Sequence, residues 1–133
     1  MLPRGIRNNN PLNIRIGNRW IGEVLHPTDS EFEQFVSLQY GLRAGFVLLR
    51  RYIVRYKLNT VRLIISRWAP STENKTEDII GRVSKFMAIG PDDVLSYENK
   101  SQMCDLVQGM CLVECGQLIC KSEIREAYEL AKN

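Results

Sequence analysis

Hydrophobic positions recur at two spacings along this chain, and the spacing changes near residue 36. Before it, Asn13-Ile14-Arg15-Ile16 and Arg19-Trp20-Ile21-Gly22-Glu23-Val24 are short alternating runs separated by Gly17-Asn18. Alternation puts successive side chains on opposite faces of a strand, and a Gly-Asn pair suits a two-residue turn. The two runs therefore predict a β-hairpin. A third short strand is expected over Phe32 to Phe35, after the loop His26-Pro27-Thr28-Asp29-Ser30.

Beyond that point the spacing becomes three and four. Leu42, Gly45, Phe46, Leu49, Tyr52, Ile53 and Tyr56 mark one face of an amphipathic helix over about 39–57, with arginines on the outside. Asn59-Thr60 offers a cap for a short helix through Ile64, Ile65 and Trp68, and Pro70 stops it. Thr76-Glu77-Asp78 starts another, carrying Ile79, Ile80, Val83 and Phe86 towards Gly90-Pro91, and a turn of helix is expected from Asp92 to Tyr97. Two more follow, from about Lys100 to Glu114, ended by Gly116, and from about Ser122 to Lys132. The pattern shows no repeat and no linker. It predicts one α+β domain over 1–133, mainly α, in which a small N-terminal β-hairpin lobe packs on a helical lobe.

Composition adds limits. A chain of 133 residues with 44% hydrophobic and 25% charged residues can bury a core without staples, and it has no apolar run long enough to span a bilayer. The opening ten residues lack the apolar stretch of a secretory signal, so the expectation is synthesis in the cytoplasm and delivery to a virion or cell wall by another route. Arg50, Arg51, Arg55, Lys57, Arg62 and Arg67 crowd one third of the chain, but the net charge is only +3. That balance is not that of a dedicated nucleic-acid binder, and no nucleic-acid partner is expected. Cys104, Cys111, Cys115 and Cys120 are spread too far along helices to share one ion, and the one histidine is His26. Neither a metal nor another cofactor is expected, and the redox state of the thiols stays open.

One carboxylate breaks the pattern. Met103, Leu106, Val107 and Met110 form an apolar stripe, and at about 100° per residue Glu114 falls on its continuation. Burial and the negative end of the helix dipole would both keep its proton on, which suits a general acid for glycosidic cleavage. Pairing with an arginine such as Arg43, or fraying into water, is the competing reading.

Arg4-Gly5-Ile6-Arg7-Asn8-Asn9-Asn10-Pro11-Leu12-Asn13-Ile14-Arg15, with Trp20 and Gly22, resembles the opening of phage virion proteins often labelled simply as structural proteins. The likeness continues through Asp29, Phe32, Phe35, Gly41-Leu42-Arg43-Ala44 and Trp68-Ala69-Pro70 to Glu114-Cys115-Gly116, with Leu12 and Cys115 departing from the family's usual glycine and asparagine. The order of the pieces also looks like a circular permutation of lysozyme-like folds and flagellar-type glucosaminidases. The resemblance implies cleavage of peptidoglycan glycan strands by Glu114, with Asp29 or Glu23 as a second carboxylate across the cleft. Asn8, Asn9, Asn10, Trp20, Arg43, Glu73 and Asn74 would bind substrate. The alternative it implies is a non-catalytic virion or assembly protein that binds glycan or other virion proteins.

Overall fold

In the computed structural model, which describes residues 2–70 and 75–132, helices form where apolar spacing and capping agree. After a single turn, α1 (Arg4–Arg7), come α2 (Leu38–Arg50), α3 (Val61–Trp68), α4 (Thr76–Met87), α5 (Lys100–Cys115) and α6 (Lys121–Leu130). The Ser37, Thr60 and Asn99 side chains accept from the backbone N–H of Tyr40, Leu63 and Gln102, satisfying first-turn donors that a helix cannot pair internally. Gly116, at φ 71°, ends α5 in the left-handed conformation that costs glycine least. Helix α2 runs directly into a π-helical turn, Arg51–Arg55, whose wider loop is closed by Tyr56 N–H donating to the Arg51 carbonyl at 3.1 Å.

The core is built around α5. Met103, Leu106, Val107, Met110 and Cys111 are all buried, as are Gln108 and Gly109, so this helix is covered on most of its circumference by α2, α4 and α6. Phe46 of α2 meets Tyr128 of α6 edge-on at 5.4 Å, and Tyr97 stacks on Tyr128 at the same separation. The Tyr128 hydroxyl donates to the Tyr97 carbonyl at 2.7 Å, giving its one polar atom a partner inside the core.

The N-terminal β-hairpin lobe does not form, and the α+β, lysozyme-like architecture is corrected to a mainly helical one: among the described residues there is no strand, only two isolated antiparallel bridges. Arg15 pairs with Phe32 and Glu23 with Phe35, so the two runs expected to pair with each other both pair with the third instead. The physical reason is Asn10. Its buried side-chain amide accepts from Ile14 N–H at 2.9 Å and donates to the carbonyls of Ile14 and Glu33 at 3.0 Å each. It thereby takes up backbone groups that a longer ladder would have used. Asn13 stands at φ 49°, which breaks the extended run at its first residue. The stretch Asp92 to Tyr97 is likewise turns rather than helix, held by Asp93 accepting from Gly90 N–H at 2.8 Å and by Leu95 N–H donating to the Asn59 carbonyl.

Although irregular, the N-terminal third is tightly joined to the helices. The asparagine loop approaches α2 so closely that a Cβ on Gly41 would lie 1.7 Å from the Asn9 carbonyl oxygen. Leu12, Ile14, Trp20 and Phe35 are buried in the same cluster as the helical residues.

Candidate functional site

An open groove of about 310 Å³ runs where the N-terminal loop meets the ends of α3 and α5. Leu12, Asn13, Arg15 and Phe32 form one wall, Trp68, Ala69 and Pro70 the other, and Glu114 stands at the last turn of α5. The Trp68 indole N–H donates to the Leu12 carbonyl at 3.1 Å, which fixes the ring against the loop. Asn13, with its left-handed backbone, points its amide at α5 and donates to Glu114 Oε1 at 2.7 Å. Its own side-chain oxygen is buried with no protein partner. Phe32 is flanked by two guanidinium groups, Arg4 at 4.6 Å and Arg15 at 4.8 Å from its ring centre.

Glu114 is exposed, not buried. The apolar stripe on which it was placed is only one part of a helix buried on several sides, and the final turn emerges from the core. The desolvation expected from the sequence is therefore absent, while the expected proximity to a cleft is present. The carboxylate lies at a groove edge, within hydrogen-bond reach of an asparagine 101 residues away in sequence.

Neither proposed second carboxylate lines this groove. Asp29, only 8% exposed as a side chain, anchors a separate cluster. It receives Arg4 Nε and Nη2 at 2.7 Å each, Asn8 Nδ2 at 3.0 Å, and the backbone N–H groups of Glu31 and Phe32. The hydrogen bonds from Arg4, then those from Asn8 and the backbone, hold its carboxyl well below the usual carboxylate range. Glu23 accepts from Trp20 N–H at 3.2 Å and lies against Glu33.

Glu33 was not anticipated. Burial first, then the neighbouring charge of Glu23, pushes its carboxyl up to about 7. Its sequence signal is weak: an acidic residue between Phe32 and Gln34, in a run ending at the buried Phe35.

The asparagines expected to bind sugar are occupied in holding the loop together. Asn8 donates to Asp29 and accepts from Gln34, Asn9 donates to the Phe35 carbonyl, and Asn10 is fully buried. Trp20, expected at the substrate, is 8% exposed, inside the core and beneath the Arg51 guanidinium, whereas Trp68, not among the expected binding residues, lines the groove. Arg43 is buried within α2. Glu73 and Asn74 lie outside the described residues. All four cysteines are free thiols, and among the described residues no group of three His, Cys, Asp or Glu could hold a metal ion. Among those residues, too, no helix is long and apolar enough to cross a membrane.

No family model matches the chain. It is similar to Protein P5 of Pseudoalteromonas phage PM2, with 41% identity over 114 residues that cover 80% of this chain and 71% of that protein.

Proposed function

We propose, for a chain that belongs to the family of Protein P5 of Pseudoalteromonas phage PM2, the role of a non-catalytic virion or assembly component that holds a peptidoglycan glycan strand in the Glu114 groove. The observation that carries this reading is the composition of the groove. The fixed ring of Trp68, with Ala69 and Pro70 beside it, gives apolar surface for sugar rings, and Asn13, Arg15 and Glu114 give polar groups for their hydroxyls and amides. No second carboxylate stands opposite Glu114 among the described residues lining the groove, and Glu114 itself is exposed. Binding therefore accounts for more of the site than bond cleavage does.

Co-sedimentation with purified cell walls tests it. Wild-type protein should pellet with the walls without clearing their turbidity. Trp68→Ala should weaken binding by about tenfold, as loss of one aromatic platform does. Failure of the wild type to pellet would overturn the reading.

A second reading, glycan-strand cleavage with Glu114 as general acid, is favoured by one observation: Glu114 Oε1 lies at the groove edge, 2.7 Å from the Asn13 amide that could orient it. In that case the wild type clears a wall suspension and Glu114→Gln does not, since the amide keeps the shape but cannot donate the required proton.

A further inference from the structure

Between Glu33 and Glu73 the chain carries seven basic residues, Arg43, Arg50, Arg51, Arg55, Lys57, Arg62 and Arg67, and no acidic one. The fold sorts these seven. Arg43 goes into the core, and Arg62 is held between Glu77 and Asp92. Of the five that remain, Lys57 lies past the π-helical turn at φ 60°, and the other four are Arg50, Arg51, Arg55 and Arg67; among the described residues none of the five forms an ion pair.

These four are contiguous. Arg50, Arg51 and Arg55 line one shallow depression with Val47 and Val54, along the end of α2 and its π-helical turn. Arg55 and Arg67 both lie against the ring of Tyr56, at 5.7 and 5.2 Å, which joins α3 to the same surface. Arg51 rests over Trp20 and Arg67 also over Tyr52. A guanidinium lying on an aromatic face has lost much of its rotamer freedom, while its N–H edge stays available for bidentate contact with an oxyanion. The surface is thus both unneutralised and partly pre-ordered.

From this geometry we infer that the Arg50–Arg51–Arg55–Arg67 face binds nucleic acid through its phosphodiester backbone, without reading base sequence. The sequence-level expectation of no nucleic-acid partner rested on a net charge of only +3, but net charge averages over a chain whose acidic residues all lie outside this stretch. A membrane surface fits less well. An interfacial helix must offer a broad apolar face to the lipid, and here that face, Leu42, Phe46, Leu49 and Ile53, is committed to the core. Only Val54 and Tyr56 are exposed apolar residues in this stretch of helix. The face shares no residue with the Glu114 groove, so its occupant is independent of the glycan reading.

Fluorescence anisotropy with a short labelled DNA duplex of arbitrary sequence tests the inference. Four phosphate contacts predict a log–log salt slope near −3.6, a loss of roughly a hundredfold in affinity between about 50 and about 200 mM salt. The Arg50→Gln/Arg55→Gln variant should reduce the slope by about two and weaken binding by more than tenfold, with an unchanged far-ultraviolet circular dichroism spectrum. Should that variant not fold, Arg67→Gln, on α3, should reduce the slope by about one. Arg125→Gln removes the same charge from α6 and should change affinity by less than about twofold. The inference is overturned if the duplex does not bind at low salt, if Arg125→Gln weakens binding as much as the double variant, or if vesicles containing phosphatidylglycerol bind the face and the duplex does not compete.

Discussion

Glu33 and Asp29 are two carboxyls close in sequence whose surroundings act on them in opposite senses. Burial beside Glu23 takes Glu33 from its ordinary 4.5 up to about 7. An acid raised in this way contributes stability that is present in full below its unfolded pKa and is lost as pH rises through the folded value. Asp29, held below its ordinary 3.8 by Arg4, Asn8 and backbone donors, contributes stability present above 3.8 and lost as pH falls. Urea midpoints measured across pH should therefore peak near pH 4 to 5, and on the alkaline side the fold should lose roughly 1 to 3 kcal/mol by about pH 7.5. Glu33→Gln is neutral throughout and should flatten the alkaline side while leaving the acid side alone. An unchanged alkaline slope in that variant would assign the effect to another group. The same residue scale shows why sequence put Trp20 at the site and passed over Trp68. Both sit in short apolar segments, and what buries Trp20 and leaves Trp68 at a groove is the packing of distant chain around them, which neither segment encodes. Glu114 differs: its position at the end of α5 could be counted from Met103, but its exposure could not, because a helix buried on several sides has no single inner stripe.

Among the elements, the five longer helices were readable because each carries its own periodicity, and α2, α3 and α5 carry a side-chain N-cap as well. Thr60 is an N-cap and Gly116 a C-terminal stop in the chain as in the fold. The hairpin was not readable, since Gly17-Asn18 is a local turn signal whereas pairing here is decided by Asn10 and by Phe32 to Val36, which lie outside the turn. Two glycines on α2 test how closely that loop meets the helix. Gly41→Ala places a methyl group 1.7 Å from a backbone carbonyl, which only a shift of the main chain can relieve. It should cost about 3 kcal/mol or more in urea unfolding. Gly45→Ala meets the flexible end of Leu12 at 2.6 Å and should cost nearer 1 kcal/mol. Equal effects at the two positions would mean that the loop and α2 are less closely seated than described.

At the scale of the molecule, the absence of a separate lobe has a measurable result. Leu12, Ile14, Trp20 and Phe35 share one buried cluster with α2, α5 and α6, so the irregular third should unfold together with the helices. Tryptophan fluorescence, which includes Trp20, and circular dichroism at helical wavelengths should trace coincident urea transitions. An earlier fluorescence transition would restore an independent N-terminal unit. The part played by Asn10 also bears on how such a sequence can drift over generations. A ribbon of paired strands spreads its bonds over interchangeable backbone groups, so any one side chain can vary without loss of register. A loop gathered onto a few side-chain amides has no such redundancy, and at its centre only a residue with a donor and an acceptor on the same short stem will serve.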